Sequence, residues 1–143
     1  MVNGKKILVV DDEQPLALAI KIRLQSRGYH VMTASDGRQA LELIDKEKPH
    51  LIVLDILMPV IDGYACLREI NQRYGRGTIP VLILTAHDRM KELFEMEGIE
   101  DYVIKPFDDE DLLIRIDRIF KRREGSTPLR IGYPPRFAFP PGL

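Results

Sequence analysis

The sequence has few of the features that mark secreted, membrane-spanning or nucleic-acid-coating proteins. Its single cysteine, Cys66, excludes an internal disulfide framework and favours a reducing compartment. No apolar run approaches the roughly 18 residues that a bilayer-spanning helix needs, and no secretory hydrophobic region follows the N-terminus. Lysine and arginine number 21 against 22 acidic residues, which argues against general attraction to nucleic acid or membranes. We therefore expect a cytoplasmic protein that binds neither nucleic acid nor a membrane directly.

The length and composition predict one globular domain followed by a tail. With 143 residues, 45% of them hydrophobic, the chain can bury a sizeable core. Periodic apolar positions stop before residues 124–143, which hold five of the ten prolines. We predict a domain over residues 1–123 and a flexible Pro/Gly-rich tail after it. A second interpretation makes Tyr133, Phe137 and Phe139 a peptide that docks on a partner or on its own domain.

Five short apolar segments alternate with longer amphipathic stretches. The segments are Ile7–Val10, Val31–Ala34, Leu51–Leu54, Val81–Leu84 and Tyr102–Ile104. The first, third and fourth are continuous, as expected of strands with both faces covered. Helical spacing of apolar residues predicts helices around Leu16, Ile20 and Leu24; Ala40, Leu43 and Ile44; Tyr64 to Arg73; Met90, Leu93 and Phe94; and Leu112 to Phe120. Because crossovers are right-handed, we predict a doubly wound α/β fold, (βα)5, with a five-stranded parallel sheet of order 2-1-3-4-5 and helices on both faces.

Polar residues of particular kinds end four of the five predicted strands. The first strand ends at Asp11 and Asp12, the third at Asp55, the fourth at Thr85 and the fifth at Lys105. Because ligands bind outside the carboxyl ends of such a sheet, we expect three carboxylates, one hydroxyl and one ammonium to converge there. Taken singly, Asp12 and Thr85 are turn formers or helix caps, and Lys105 is a solvated surface residue. The presence of all five at one edge favours a site.

Crowded carboxylates of this kind are typical of a cation site. Like charges raise one another's pKa unless a cation relieves them, and an oxygen-rich ligand set suits Mg²⁺ or Mn²⁺ rather than zinc. The same residues suit phosphoryl transfer to an aspartate, with the metal neutralising charge. Lys105 would add a second positive charge, and Thr85 would donate to a phosphoryl oxygen. We assign Glu13 to the loop and the start of the first helix, and His87 to a solvent-facing loop.

Four segments occur in a fixed order along the chain: "ILVVDDE", "LIVLDILMPVIDGYACLREI", "PVLILTA" and "DYVIKPF". The segments belong to a stretch from about residue 6 to residue 123. This stretch resembles the receiver domain of two-component response regulators. The resemblance implies a phosphorelay role, with Asp55 phosphorylated by a phosphohistidine of a sensor histidine kinase or histidine phosphotransfer protein. It also implies a signalling domain, not an enzyme, that promotes its own phosphorylation and dephosphorylation and switches conformation to control an output partner.

The resemblance assigns roles within the predicted site. It implies that Asp12 binds Mg²⁺ directly and that Asp11 binds it mainly through water. Asp55 and the backbone carbonyl of Leu57 would complete the protein ligands. Lys105 would contact the phosphoryl group.

Two pairs of residues match the family's switch and a special peptide bond. Thr85 and Tyr102 match the pair in which phosphorylation draws the hydroxyl residue toward the phosphoryl group and lets the aromatic ring turn inward. A half-buried strand aromatic is the simpler interpretation of Tyr102, and both can hold. The Lys105-Pro106 bond lies where the family commonly has a cis peptide, an isomer that proline permits.

Other protein families fit these residues less well. A flavodoxin-type flavin protein needs a phosphate-cradling loop after the first strand, where this chain has "DDEQP". A haloacid-dehalogenase-type phosphatase has a second aspartate two residues after the nucleophile, where Leu57 stands, and the glycine motif of a Rossmann dehydrogenase is missing. A receiver acting purely as a scaffold is disfavoured because all five chemical positions are filled. The stretch between Thr85 and Lys105 is slightly shorter than usual in the family, so the family's usual dimerisation face is not carried over to this chain and homodimer formation stays open. The sequence does not identify the output partner.

Overall fold

The computed structural model describes residues 4–56, 63–86, 88, 93 and 95–126. Within them, strands and helices alternate along the chain as far as β4, and the segment between β4 and β5 is described only in part. The elements are β1 (Lys6–Val10), α1 (Gln14–Gln25), β2 (His30–Ala34), α2 (Gly37–Glu47), β3 (Leu51–Asp55), α3 (Gly63–Tyr74), β4 (Val81–Ala86), β5 (Asp101–Lys105) and α4 (Asp109–Ser126). All five strands pair in parallel, in the order β2-β1-β3-β4-β5. The predicted doubly wound α/β fold with sheet order 2-1-3-4-5 is confirmed.

The sheet is covered on both faces because its central strands are almost wholly apolar. Most residues of β1, β3 and β4 have no exposed surface, as expected of a parallel sheet between two layers of helices. On one face, α1 and α4 pack against the strands through residues that include Ile20, Leu24 and Ile116. On the other face, α2 and α3 do so through residues that include Ile44 and Ile70. Each such side chain stabilises the fold by about 1.5–3 kcal/mol, which holds the sheet edge in place.

Local signals in the sequence set the ends of the helices. Pro15 lies in the first turn of α1, where its missing N–H has no helical partner to lose. Asp36 caps α2 by accepting a hydrogen bond from the N–H of Gln39 at 2.8 Å, and Lys48 ends that helix with φ 51. Three acidic residues in the first turn of α4 and Arg123 in its last turn complement the helix dipole. The helix starts determine where the loops at the carboxyl edge of the sheet end.

Some element bounds differ from the prediction. The strand β1 ends at Val10, one residue before Asp11, and β4 extends one residue past Thr85, to Ala86. The strands β3 and β5 end at Asp55 and Lys105, as predicted. Hydrogen bonding between β4 and β5 continues past the apolar run, and hydropathy alone does not reveal it. The helix α4 continues to Ser126, so the domain boundary expected at residue 123 falls within a helix. The division into a domain and a tail stays a prediction.

Other predictions lie outside the described residues. Of the helix expected around Met90, Leu93 and Phe94, only Leu93 is described, and it is buried in the core beneath α3. The tail beyond residue 126, with its aromatic residues, is likewise not described. In the described ranges, no helix combines the length and the apolar character that crossing a membrane requires.

Candidate functional site

Three aspartates come together at the carboxyl edge of the sheet. The strands β1 and β3 are neighbours, with Val10 paired to Leu54, so the residues after β1 lie beside the last residue of β3. One carboxylate oxygen from each of Asp11, Asp12 and Asp55 lies within 4.8 Å of the other two. Such a set of carboxylates at the switch point of a doubly wound sheet can hold a divalent cation.

Burial makes the charges of these aspartates energetically costly. Asp11 and Asp55 are 0% and 1% exposed, whereas Asp12 is half-buried. Burial raises the pKa of Asp11 to about 7, and the charge of Asp55 adds to the shift, while the N–H of Glu13 and the charge of Lys105 oppose it. A bound cation would favour the ionised form of such a carboxyl group, because the positive charge offsets the cost of burying the negative one.

One oxygen of Asp11 shows that the three carboxylates fit a cation. Oδ1 accepts a hydrogen bond from the N–H of Glu13 at 2.9 Å. Oδ2 is buried and has no hydrogen-bond partner in the described part of the structure, with Nζ of Lys105 standing 3.8 Å away. A buried carboxylate oxygen costs free energy unless it is paired or bound to an ion. The donor set, oxygen only and negatively charged, is the one that hard divalent cations prefer.

Lys105 reaches the aspartates from β5. Its Nζ lies 2.8 Å from Oδ2 of Asp55, and the side chain is 18% exposed. Burial works to lower the pKa of Lys105, but the hydrogen bond and charge of Asp55, with the charges of Asp11 and Glu13, outweigh it and raise the pKa. The ammonium group is therefore charged at neutral pH. The Lys105-Pro106 peptide bond is cis, as the resemblance implied.

Thr85 and Tyr102 lie on one face of the sheet. Thr85 is fully buried and follows Leu84, the residue that pairs with Asp55. Tyr102 pairs with Ile83, two residues before Thr85, so the two side chains point to the same face. That face is covered by α2 and α3, and Tyr102 packs half-buried against its core. The role of the pair as a switch stays a prediction.

Glu13 adds a further carboxylate to the surroundings of Lys105. It occupies the N-cap position of α1, so its assignment to the helix start is confirmed. Its side chain makes no capping hydrogen bond, and one oxygen lies 3.4 Å from Nζ of Lys105. Glu13 is the third consecutive acidic residue of "DDE", which marks it as a candidate site residue. Its contact with Lys105 could not be predicted, because the two residues are 92 positions apart in the sequence.

Gly63 allows α3 to begin close to the end of β3. A Cβ at this position would lie 2.7 Å from Cα of Ile56 and 2.8 Å from the carbonyl oxygen of Asp55, well inside van der Waals contact. No side chain fits there unless the main chain that carries Asp55 moves. Asp62-Gly63 is a turn dipeptide in the sequence, but the close approach follows from the packing of α3 and was not predicted.

We expect Gly63→Ala to destabilise the fold by about 2 kcal/mol, because the added methyl group overpacks a main-chain contact. It should also slow any reaction of Asp55. Gly77→Ala is the matched control, since its Cβ meets no atom within 4 Å and only its φ of +74 is unfavourable, at about 1 kcal/mol. Urea denaturation measures both losses. A loss for Gly63→Ala no larger than that of the control would contradict the steric account.

Two further residues to which the sequence analysis gave a place or a role lie outside the described residues. One is Leu57, whose backbone carbonyl the resemblance places among the metal ligands. The other is His87, interpreted as a solvent-facing loop residue. Both assignments stay predictions.

Comparison with known proteins agrees with this geometry. The sequence profile of a family described as "Response regulator receiver domain" matches residues 7–117. The probable transcriptional regulator ycf27 of Cyanophora paradoxa is 41% identical over 128 residues, which cover 88% of this chain and 52% of that protein. The alkaline phosphatase synthesis transcriptional regulatory protein PhoP of Bacillus subtilis is 40% identical over 127 residues, covering 87% and 52%. The chain thus spans about half the length of these curated relatives.

A solved structure is similar over nearly its whole length. It is that of the response regulator protein TrrA from Thermotoga maritima in complex with Mg²⁺-BeF. The TM-score is 0.72 and the sequence identity is 31%, over 80% of this chain and 98% of that one. Sequence and fold therefore agree on one family.

Proposed function

The chain belongs to the response regulator receiver domain family, and on that premise we propose that it accepts a phosphoryl group on Asp55. The donor is a phosphohistidine of a sensor histidine kinase or a histidine phosphotransfer protein. The observation that carries the proposal is the contact between a buried carboxylate and an ammonium group, with Oδ2 of Asp55 2.8 Å from Nζ of Lys105. This contact orients the carboxylate and supplies positive charge where the phosphoryl oxygens would lie.

The proposed transfer uses few groups of the protein. A carboxylate oxygen of Asp55 attacks phosphorus, and the phosphorus–nitrogen bond of the phosphohistidine breaks as the imidazole leaves with the electron pair. Lys105 remains close to Asp55 and to the incoming oxygens, and Thr85 donates its hydroxyl to one of them. In this proposal the chain is a signalling domain, and it promotes its own phosphorylation and dephosphorylation without turning over a free substrate.

The proposal includes Mg²⁺, with Mn²⁺ as an alternative, held by Asp11, Asp12, Asp55 and the carbonyl of Leu57. Its support is the crowding of the three carboxylates and the buried Oδ2 of Asp11, which lacks a hydrogen-bond partner among the described residues. The Mg²⁺-BeF complex of the similar Thermotoga maritima protein adds to it. When bound, the ion supplies positive charge that offsets the carboxylates and the phosphoryl oxygens. Asp12, the half-buried member, is assigned the direct contact and Asp11 a contact through water.

We further propose that Thr85 and Tyr102 couple phosphorylation to the output. Phosphorylation adds about −1.5 to −2 units of charge, and Thr85 follows the residue that pairs with Asp55. Tyr102 shares the face of Thr85, two positions away in the register of β4 and β5. A two-state switch needs a differential of only a few kcal/mol between its states, which one charged group can supply.

The output itself belongs to the whole protein. The curated relatives are named transcriptional regulators and are about twice as long as this chain. We propose that residues 1–123 belong to the receiver domain, with its last helix continuing to Ser126, and that contact with DNA, where it occurs, is made by another segment or partner. The proposal also includes a cytoplasmic location and no contact with a membrane. It includes a homodimer as an alternative to the monomer.

The experiment that tests the phosphoacceptor is intact-mass spectrometry after incubation with acetyl phosphate and Mg²⁺. We expect one added phosphate on the wild-type protein and none on Asp55→Asn, because the amide lacks a nucleophilic carboxylate. Asp117→Asn is the matched control, since the side chain of Asp117 is 50% exposed and pairs with Lys121 on α4, away from the carboxylate cluster. It should label like the wild type. Labelling that survives Asp55→Asn would contradict the assignment.

A further inference from the structure

Glu13 stands at the exposed rim of the site. Three carboxylates in the described structure lie against Nζ of Lys105: Asp55 at 2.8 Å, Glu13 at 3.4 Å and Asp11 at 3.8 Å. The side chains of Asp55 and Asp11 are 1% and 0% exposed, whereas that of Glu13 is 64% exposed. An anion that approaches Lys105 from solvent therefore meets the charge of Glu13.

A carboxylate at the start of a helix has a simpler explanation, which is attraction to the helix dipole. The side chain of Glu13, however, makes no capping hydrogen bond to α1 and lies beside Lys105. Its main chain is held at the cluster, because its N–H donates to Oδ1 of Asp11 at 2.9 Å and its carbonyl accepts from the N–H of Ala17 at 3.0 Å. The position of the Glu13 side chain is thus set by the site as well as by the helix.

We propose that Glu13 is a specificity-determining residue that selects phosphoryl donors for Asp55 by their charge. This rests on the proposed function, since it concerns the same transfer. The pairing of Lys105 with Glu13 neutralises part of the positive charge that an incoming phosphoryl group would use. The remaining negative potential at the rim holds back a dianionic donor more than a monoanionic one, in proportion to charge.

Two small donors separate this effect from the chemistry of transfer. With acetyl phosphate, a dianion near neutral pH, an oxygen of Asp55 bonds to phosphorus while the phosphorus–oxygen bond breaks, and acetate leaves with the electron pair. With phosphoramidate, a monoanion whose nitrogen is already protonated, the phosphorus–nitrogen bond breaks and ammonia leaves. Both donors form the same bond to Asp55, so a charge at the rim is expected to change their rates by different factors.

The test is the rate of phosphate labelling at low salt, followed by intact-mass spectrometry with Mg²⁺ present. We expect Glu13→Gln to accelerate labelling roughly fivefold with acetyl phosphate and about twofold with phosphoramidate. Glu13→Asp keeps the charge and should retain the wild-type preference between the donors. Glu42→Gln is the control for loss of an exposed glutamate, since Glu42 is 69% exposed and pairs with Arg38 on α2. It should label at the wild-type rate.

Each outcome separates the two proposals. Equal rates for Glu13→Gln and wild type, equal acceleration with both donors, or acceleration by Glu42→Gln would overturn charge selection by Glu13 and leave the phosphoacceptor intact. Loss of the donor preference in Glu13→Asp would overturn it as well. No labelling of the wild type by either donor would overturn the proposed function instead. If Glu13→Gln does not fold, a salt series on the wild type decides, because screening should raise the acetyl phosphate rate relative to the phosphoramidate rate.

Discussion

Replacing Asp11 by asparagine is expected to stabilise the metal-free protein by about 4 kcal/mol at about pH 8 and to have little effect at about pH 4. The cause is burial, which raises the pKa of Asp11 from 3.8 to about 7 in the folded state. Between these values the folded protein keeps a proton that the unfolded chain has released. The free energy of unfolding therefore falls as the pH rises, by about 1.4 kcal/mol per unit. Asparagine keeps an Oδ1 acceptor for the N–H of Glu13 and carries no charge, so this contribution disappears.

The measurement is the difference in free energy of unfolding between wild type and Asp11→Asn, from urea denaturation in chelator at a series of pH values. Taking the difference removes the titration of the carboxylates that lie far from Asp11 and are shared by the two proteins. Asp117→Asn changes an aspartate whose side chain is half-exposed and should show no such pH-dependent gain. Saturating Mg²⁺ should favour the wild type, because an ion that binds only the folded state stabilises it. A difference that stays flat between about pH 4 and about pH 8 would contradict the burial of an uncompensated charge.

The sheet and the meeting of the three aspartates could be predicted from local pattern. Three continuous apolar runs in the sequence indicate strands buried on both faces. Each run lies within an observed strand, β1, β3 or β4. Because parallel strands present their carboxyl ends at one edge, the strand order alone brings Asp11, Asp12 and Asp55 together. Topology, and not side-chain detail, was sufficient for that step.

The remaining features of the site depend on distances between residues far apart in the chain. The contact of Glu13 with Lys105 joins α1 to β5, and no periodicity within either segment encodes it. The tight approach at Gly63 follows from where α3 packs relative to Ile56. The extension of β4 to Ala86 follows from strand pairing that continues past the apolar run. These are tertiary effects, which override the local hydropathy signal.

Asp12→Ala is expected to weaken Mg²⁺ binding by roughly 100-fold or more, because loss of even an indirect partner of a metal ligand costs roughly 10- to 100-fold. Isothermal titration calorimetry with Mg²⁺ alone measures this directly, and Asp117→Ala serves as the control of equal charge change. Phosphate labelling of Asp12→Ala should lose its dependence on Mg²⁺ at the same time. Because Asp12 is half-buried, its removal should alter the metal-free stability far less than the removal of Asp11.

That contrast makes Asp12 the sharper test of the metal site. A change at Asp11 alters the free energy of unfolding and the affinity for the cation together, because its carboxylate is fully buried and its pKa is raised to about 7. Asp12 shares the carboxylate cluster but has more contact with solvent, so an effect on Mg²⁺ affinity at nearly constant stability identifies a ligand. Unchanged affinity in Asp12→Ala would place the ion elsewhere. It would then leave the buried Oδ2 of Asp11 to be satisfied by Lys105, whose Nζ lies 3.8 Å from it.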